Sequence, residues 1–443
     1  MLITSPVYFI FLTAIFLLYW PLSRVRALAL AVILFANYFF YAKWDLFLLA
    51  LMPAAASVDF VIGLGLQYSE RPLVRRILVF TSVILNIGLL IYARKNLAIS
   101  LSFYAFQALT YTIDLYRRDA KGTRSYLAHL SAVSFFPTTL AGPITRVQTL
   151  LDQFEKPKQL DPADGGRALF LIGMGLVKKF LIADYLAANL VNRVFDFPTL
   201  YSGAETLIAV YAFALQLYYD FSGYTDIAIG SGLLLGIKLP PNFNRPYAAE
   251  NVADFWRRWH ISLSNWLRDY LYYSLPGKRI KAFVYINLVI TMALGGWWHG
   301  QTWTFLIWGL LHGTGLAVVR LYQTKVGAQK ATGAMRIVNI FVTAHFVIFA
   351  WIFFRSPNLE TAFAILSRIG SFTLGLANVS AGIALIMTIA ALAHYVPKRW
   401  YDFSLNLYIR APFFAQAAAL AALVVGLQYV VHTGATPFIY NKF

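Results

Sequence analysis

The chain has 443 residues, of which 59% are hydrophobic, 17% aromatic and only 13% charged. Soluble domains carry about 45–50% apolar and ~25% charged residues, so this composition excludes an ordinary soluble domain and indicates a membrane protein. Much of the net charge of +18 lies in short loops between apolar runs, where lysine and arginine set orientation and meet anionic headgroups. We therefore expect membrane lipids, and no nucleic acid, as partners.

About eleven apolar runs are candidates for the ~20-residue segments that cross a bilayer. In chain order they are Pro6–Leu22, Ala27–Ala42, Leu46–Leu66, Ile77–Tyr92, Ala168–Ala183, Leu207–Tyr219, Ala282–Trp298, Trp303–Val319, Ile337–Phe354, Gly382–Ala393 and Phe413–Val431. Two weaker candidates are Leu97–Tyr116 and Leu127–Leu140. Because the runs are continuous rather than alternating, they predict an all-α, polytopic integral membrane protein and not a barrel. The first run lacks a basic segment and a cleavage site, so we expect it to remain as a helix.

Basic residues are distributed unevenly over the first loops. Alternate loops hold nine of them and the intervening loops three: Arg24, Arg26, Arg71, Arg75, Arg76, Arg117, Arg118, Lys121 and Arg124 against Lys43, Arg94 and Lys95. Lysine and arginine concentrate on the cytoplasmic side of a membrane. If Leu97–Tyr116 crosses the bilayer, the amino terminus is predicted to lie outside the cytoplasm.

The organisation of the chain indicates one integral domain over residues 1–443, since no period of 20–50 residues and no low-complexity tract occurs. The longest polar stretch is Asp220–Asn265, in which Pro240–Pro241 ends a helix. After it, apolar and aromatic residues recur at helical spacing and predict one amphipathic helix, lying at an interface or re-entering the membrane.

The predicted faces of this helix are unusual. The buried face holds Trp256, Trp259, Leu263, Trp266, Leu267, Tyr270 and Leu271, and the opposite face Arg257, Arg258, Ser262, Asn265, Arg268 and Asp269. A simple aromatic and basic surface anchor would explain this pattern. It does not predict His260, which falls among the buried positions.

The seven histidines differ in their sequence context. Four stand alone among apolar or loop residues and are expected to be interior or interfacial groups: His129, His345, His394 and His432. His299 and His312 lie in "GGWWHGQTWTFLIWGLLHG" (Gly295–Gly313), where glycines and a Gln-Thr pair interrupt two apolar runs. Such a break must be buried in protein or line a water-filled cavity.

An ionisable group at a break of this kind is a candidate for function. Desolvation keeps an imidazole neutral, and a neutral base beside a buried hydroxyl is what acyl transfer requires. We therefore expect His299 to be the general base, with His260 and His312 as further candidates. The alternative for each is a hydrogen-bonded core histidine.

Other catalytic signatures are missing from the sequence. It has no GxSxG elbow, no HExxH pair and no GxxxxGK[ST] loop, so a serine hydrolase, a zinc protease and a P-loop pump have no support, and no metal is expected. Cysteine is absent, which excludes disulfides, thiolate nucleophiles and cysteine metal sites. Direct attack by an acceptor oxygen on an activated acyl group is favoured over a covalent acyl-enzyme.

Six segments resemble the membrane-bound O-acyltransferase family, and within it the bacterial branch of alginate O-acetylation proteins and, more distantly, teichoic acid D-alanyl transferases. They are "ISLSFYAFQALTYTIDLYR" (Ile99–Arg117), "FFPTTLAGPITR" (Phe135–Arg146), "YYDFSGYTDIAIGSGLLLGIKLPPNFNRPY" (Tyr218–Tyr247), "DFWRRWHISLSNWLRDYLY" (Asp254–Tyr272), "GGWWHG" (Gly295–Gly300) and "WIFFRSPNLETAFAIL" (Trp351–Leu366). The pairing of "DFWRRWHISLS" with "WWHG" is highly specific.

The apolar runs give about 11–13 spanning or re-entrant helices. The resemblance implies that they form a ring around a thin central tunnel, in the bacterial cytoplasmic membrane. It also implies that His299 is the catalytic base and that His260 lines the same tunnel. We expect the substrate-binding residues to be Trp256, Asn265, Trp298, Asp220 and His312.

The expected activity is transfer of an acyl group from a cytosolic thioester to a cell-surface polysaccharide or an extracytoplasmic partner transferase, and acetyl is the acyl group that we expect. The donor would be acetyl-CoA or an acyl carrier protein, and no bound cofactor is expected. D-alanyl transfer to teichoic acid is one alternative. A polysaccharide or small-molecule transporter is another, since broken helices with buried polar groups also occur in transporters.

Overall fold

The computed structural model describes residues 2–42, 47–96, 101–139, 142–156, 159, 161–277, 280–327 and 331–430. The regular elements of this part of the chain are all helical. The α-helices are α1 Pro6–Leu22, α2 Arg26–Ala42, α3 Leu48–Tyr68, α4 Pro72–Asn96, α5 Leu101–Arg117, α6 Tyr126–Val133, α7 Phe136–Thr139, α8 Val147–Phe154, α9 Pro162–Leu176, α10 Asn192–Asp196, α11 Gly203–Leu234, α12 Val252–Trp256, α13 Ile261–Trp266, α14 Lys281–His299, α15 Trp303–Val326, α16 Gly333–Arg355, α17 Leu359–Gly370, α18 Ala381–Tyr395, α19 Lys398–Arg410 and α20 Phe413–Val430.

Wider and tighter helical turns complete the description. The π-helical segments are Val177–Asp184, Ala187–Val191 and Leu267–Leu271, and the 3₁₀ turns are Pro198–Leu200, Pro246–Ala248 and Tyr272–Ser274. Segments of π-helix are rare and occur frequently at functional sites. The segment Val177–Asp184 contains Lys179, which pairs with Asp220, and the segment Leu267–Leu271 lies in the stretch predicted as one amphipathic helix.

Within the described ranges, five helices are long and apolar enough to cross a membrane: Leu49–Tyr68, Pro72–Tyr92, Ala282–His299, Trp303–Val326 and Gly333–Arg355. The helices α18 and α19 meet the same criteria only as a pair, and this pair is bent by 95°, as in a broken span or a re-entrant loop. Three shorter apolar helices, Pro6–Leu22, Arg26–Ala42 and Phe413–Leu427, add to these in the described residues. The chain is therefore an all-helical, multi-pass membrane protein, as predicted.

Several predicted spans have a different form in the structure. Leu127–Leu140 is wrong as a single span, since α6 and α7 are two short helices separated at Ser134–Phe135, and Leu140 lies outside the described residues. Gly382–Ala393 falls within α18, which has only 15 residues and belongs to the bent pair. Four further positions also lie outside the described residues: Leu46 and Leu97, where two predicted runs begin, and Lys43 and His432.

The contacts within the chain divide it into two compact units. The first contains Met1–Leu176, Tyr224–Pro241 and Leu405–Leu420, and the second Val177–Gly223, Asn242–Ser404 and Ala421–Phe443. α11 has 32 residues and continues from the second unit into the first.

Polar contacts inside the first unit join its apolar helices. Asp59 of α3 is fully buried and accepts hydrogen bonds from the Ser82 hydroxyl (2.6 Å) and the Asn86 amide (2.9 Å) of α4. Buried polar groups are tolerated only when hydrogen-bonded, so this cluster fixes the two helices relative to each other.

The second unit contains the predicted site residues, and there the amphipathic helix differs from the prediction. α12 ends at Trp256, and α13 begins only at Ile261. Trp259 and His260 lie between them, and His260 has left-handed backbone angles, φ 42° and ψ 54°. One continuous helix is therefore wrong. The predicted faces are largely confirmed, although Ser262, expected on the polar face, is 7% exposed.

Candidate active site

His299 is the last residue of α14, at the predicted break between two apolar runs. Gly300 follows in extended conformation, and α15 begins at Trp303. His299 is 3% exposed. The break thus places an imidazole inside the protein at the end of one spanning helix, where a short connection leads to the next.

Aromatic rings enclose the imidazole of His299. The ring centroid of Trp298 lies 4.5 Å away, that of Trp308 5.2 Å and that of Phe354 5.3 Å, the latter two edge to face. Rings packed in this way exclude water from the site. A substrate hydroxyl that enters it would meet the imidazole without competition from solvent.

Close packing of α14 against α15 fixes this arrangement. A Cβ atom added at Gly296 would lie 2.3 Å from the Phe305 carbonyl oxygen, and one at Gly309 would lie 2.4 Å from the Met292 carbonyl oxygen. Only glycine permits such an approach between helices, as in other membrane helix pairs. The glycines around His299 therefore serve the helix contact as well as the break.

His312 lies in α15 and is fully buried. The indole Nε1–H of Trp256 donates to its Nδ1 over 3.3 Å. Because Nδ1 accepts, the neutral ring carries its proton on Nε2. The Trp308 ring is 5.1 Å from His312 and also contacts His299, so Trp308 connects the two histidines and joins Trp256 to the same cluster.

His260 occupies a strained position between α12 and α13. Left-handed angles are uncommon for residues other than glycine and are found often at functional sites. Its Nδ1 is 3.3 Å from Asn242 Oδ1, which also accepts from the Ser262 N–H (3.1 Å) and hydroxyl (2.9 Å). Since that oxygen only accepts, Nδ1 carries the proton. Burial lowers the pKa of His260 from 6.5 to about 3, so the ring is neutral near pH 7.

A series of aromatic contacts leads from the His299 cluster to His260. Each ring is within 6 Å of the next, in the order His299, Trp308, Trp351, Trp259, Phe243, Phe221 and His260. The structure therefore brings together His299, His312, Trp256 and Trp298, and places His260 at the other end of this aromatic wall.

Asp220 lies in a buried ionic group. Lys179 Nζ is 2.7 Å from Asp220 Oδ1 and 2.9 Å from Asp184 Oδ1, and all three side chains are largely excluded from solvent. A buried charge requires such partners. Lys179 and Asp184 belong to the π-helical segment Val177–Asp184. The role of Asp220 in substrate binding remains a prediction.

Asn265 is exposed on α13, on the polar face where the sequence placed it. Its role in substrate binding also remains a prediction. The sequence analysis did not select Asn242, Trp308, Trp351 or Lys179. Of these, only Lys179 carried a clear signal, because it interrupts an apolar run and must find a countercharge there.

The structure is that of a multi-pass membrane protein with a buried histidine at a break between two spanning helices, and comparisons with known proteins give its class. Residues 88–360 match the model of the membrane-bound O-acyltransferase (MBOAT) family. The chain belongs to this family and is an O-acyltransferase.

The chain is also similar to several individual proteins. It is 37% identical over 400 residues to a probable alginate O-acetylase AlgI of Azotobacter vinelandii, covering 84% of this chain and 78% of the relative. It is 34% identical to a peptidoglycan O-acetyltransferase of Helicobacter pylori, covering 75% and 72%. It is 31% identical to a teichoic acid D-alanyltransferase of Bacillus subtilis over 50% of this chain and 59% of the relative.

Proposed function

We propose that the chain transfers an acetyl group from a cytosolic thioester to a cell-surface polysaccharide, directly or through an extracytoplasmic partner transferase. The observation that carries this proposal is the imidazole of His299, buried among aromatic rings at the break between α14 and α15. Acetyl is preferred over D-alanyl because the O-acetylase and O-acetyltransferase relatives match at higher identity and over more of the chain.

The chemistry proposed for the site uses one base and no covalent enzyme intermediate. His299 accepts the proton of the acceptor hydroxyl as the oxygen attacks the thioester carbonyl carbon. The C–O bond forms, the C–S bond breaks, and the imidazolium returns the proton to the departing thiolate. The products are the acetyl ester and a free thiol, and the ring is neutral again.

The other predicted residues take supporting parts in this proposal. Trp298 and Trp256 line the acyl site, His312 holds Trp256 in place through its Nδ1, and His260 positions the opposite end of the wall. Asp220 and Asn265 bind substrate from outside the cluster. No metal or bound cofactor is needed for any of these parts.

The proposed location is the bacterial cytoplasmic membrane, with the amino terminus outside. The donor, acetyl-CoA or an acetyl-carrier protein, then reaches the enzyme from the cytosol, where the basic loops of the first helices lie. D-alanyl transfer to teichoic acid is the second candidate, supported by the D-alanyltransferase relatives. Membership of an acyltransferase family favours catalysis over transport.

Purified protein in sealed vesicles tests the proposal. Acetyl-CoA labelled in the acetyl group is supplied on the side of the basic loops, with a polysaccharide acceptor on the other side. We expect labelled polysaccharide and stoichiometric free thiol from the wild type, and neither from His299→Ala. Because the extracytoplasmic partner is unidentified, thiol release in the presence of short hydroxylated acceptors is the first readout.

His345→Ala is the matched control, since His345 is hydrogen-bonded to Tyr211 over 2.7 Å, and neither residue belongs to the His299 cluster. It should retain activity. Transfer from a D-alanyl carrier in place of acetyl-CoA would favour the second candidate. Movement of intact solute across the vesicle membrane without thiol release would overturn the enzymatic proposal.

A further inference from the structure

A groove of about 620 Å³ lies between α15 and α16, next to the start of α12. Its walls are mainly apolar, formed by Ile307, Leu310, Leu311, Val318, Val342 and Phe346. Since α15 and α16 are both long and apolar enough to span a membrane, we expect lipid chains to contact the outer faces of these helices. An apolar groove there is suited to a molecule of the bilayer.

Three polar side chains on the groove wall distinguish it from a simple gap between helices. Thr314, Asn339 and Thr343 all line the groove, and none of them makes a side-chain hydrogen bond within the described part of the chain. Thr343 is only 6% exposed. Their hydrogen-bonding groups are therefore available to a ligand that has polar atoms of its own.

An ion pair lies at one end of the groove. Arg336 Nε is 2.9 Å from Glu250 Oε1, and Glu250 is itself a lining residue. The guanidinium has five N–H groups and a carboxylate has several lone pairs, so both partners can bind a further charged group. The ion pair thus places a positive and a negative charge beside this end of the groove.

The groups follow one another in a fixed order along α16. Arg336, Asn339 and Thr343 are three and four residues apart and share a face, and the rise of 1.5 Å per residue places Thr343 about 10 Å beyond Arg336. Along this face a charged side chain, Arg336, is followed by neutral polar side chains and then by the apolar Phe346. A glycerophospholipid has the same order, with a charged headgroup, ester carbonyls and hydrocarbon chains.

We propose that this groove binds a zwitterionic amine phospholipid, phosphatidylethanolamine, with one chain between α15 and α16. Arg336 donates to the phosphate, and Glu250 accepts from the ammonium group. Asn339 and Thr343 donate to ester carbonyls, and the chain packs against Leu310 and Phe346. An anionic lipid without an ammonium group would leave Glu250 facing a phosphate, so it fits less well.

The groove is connected to the candidate active site through Phe346. The Phe346 ring forms part of the groove wall, and its centroid lies 5.7 Å from that of His312, edge to face. A bound chain would therefore support the helix that carries His312 and Trp308. This site is additional to the acyl-transfer proposal and does not depend on it.

Binding can be measured on the full chain, delipidated in detergent, by native mass spectrometry and by thermal melting with added phosphatidylethanolamine. We expect the wild type to bind one added phosphatidylethanolamine, to retain it in the mass spectrometer, and to be stabilised by it more than by phosphatidylglycerol. Thr343→Val and Asn339→Leu keep the side-chain shape but remove the hydrogen-bonding groups. Each should lower retention about tenfold. Phosphoethanolamine, the headgroup without chains, should not stabilise the protein.

Two further variants sharpen the test. Thr324→Val is the matched control, since Thr324 lies in α15, outside the groove lining, and its hydroxyl already donates to the Arg320 carbonyl; this variant should retain lipid as the wild type does. Glu250→Gln should shift the preference towards phosphatidylglycerol. Equal stabilisation of the wild type by both lipids would overturn the proposal. So would retention by folded Thr343→Val and Asn339→Leu that equals retention by Thr324→Val.

Discussion

His299 and His260 differ in the surroundings of the imidazole. His299 ends a spanning helix, and its ring is walled by Trp298, Trp308 and Phe354. His260 is held between two short helices, and its Nδ1 is engaged by Asn242. The first arrangement suits a base that a substrate approaches, and the second a group that shapes the wall.

The first prediction follows from this difference. His299→Ala should lower turnover by about 10²–10⁴-fold, the factor by which a general base usually raises the rate, while the protein stays folded. His260→Ala should leave measurable activity. Turnover and detergent melting temperature, measured on the same preparations, separate the two roles. A fully active, well-folded His299→Ala would end the hypothesis.

His312→Ala should be the mildest of the three variants in turnover. It should nevertheless melt at a lower temperature, because the Trp256 indole N–H would lose its acceptor inside the protein, a loss of about 1–3 kcal/mol. Wild-type melting with strongly reduced turnover would instead assign His312 a direct part in the reaction.

The second prediction concerns pH and His260. The pKa of this histidine is lowered by burial from 6.5 to about 3 in the folded protein, so the unfolded chain binds a proton more readily. The stability that follows from its neutral state is fully present above pH ~6.5. It is lost as the pH falls towards 3, by about 1.4 kcal/mol for each pH unit.

His260→Gln removes this titration and keeps a polar side chain. Melting curves of wild type and His260→Gln between pH 7.5 and 5 should therefore diverge, with the wild type losing stability faster. Parallel curves would show that His260 does not titrate in this range in either state, or that protonation is compensated within the protein.

At the scale of elements, the pair α14 and α15 depends on glycine. The third prediction is that Gly309→Ala destabilises the protein by about 1–3 kcal/mol, because its Cβ would lie 2.4 Å from the Met292 carbonyl oxygen and the two helices would have to separate. Since α14 ends at His299, turnover should fall as well.

Gly88→Ala is the control for this variant. Gly88 lies in α4, another spanning helix, and an added Cβ would meet no atom within 4 Å. Alanine is the better helix former, so this change should leave melting unchanged or slightly raised. If both variants melt alike, close packing of α14 and α15 is not what fixes the helix pair.

The two breaks near the site show what a sequence can and cannot predict about elements. The break after His299 was predictable, since glycines and the Gln301–Thr302 pair interrupt two apolar runs. The break at His260 was not, because the buried positions keep their helical spacing through the turn. Trp259 packs inward there as it would in a helix. The contact of His260 with Asn242 depends on tertiary structure, which the spacing along the chain does not contain.

At the scale of the whole molecule, the fourth prediction concerns orientation. If Leu97–Tyr116 crosses the bilayer, the nine basic residues of alternate loops against three in the others predict that the amino terminus lies outside and the loop around Arg118 in the cytosol. Because the chain has no cysteine, a single cysteine can be introduced at Lys121 without removing others. An impermeant reagent added outside intact cells should not modify this cysteine. Modification of the cysteine would show that the orientation is opposite to the one predicted.

The last prediction joins this orientation to capture of the donor. Coenzyme A and phosphopantetheinyl carriers both bear phosphates, which basic loops attract, and such attraction weakens as salt increases. Arg75 is not available for this, since the residue is 7% exposed and its guanidinium donates to the Leu115 and Tyr116 carbonyls at the end of α5, both over 2.9 Å. Arg76 and Lys121 are exposed and remain available to attract the donor.

The pair Arg76→Glu and Lys121→Glu should therefore raise KM for the thioester several-fold at low salt, leave kcat unchanged, and weaken the dependence of kcat/KM on ionic strength. Lys43→Glu, on the opposite predicted side, is the control and should leave KM, kcat and the salt dependence of kcat/KM unchanged. Electrostatic capture from the cytosol would be ruled out if Lys43→Glu had the same effect as Arg76→Glu and Lys121→Glu. It would also be ruled out if the wild-type kcat/KM did not respond to salt.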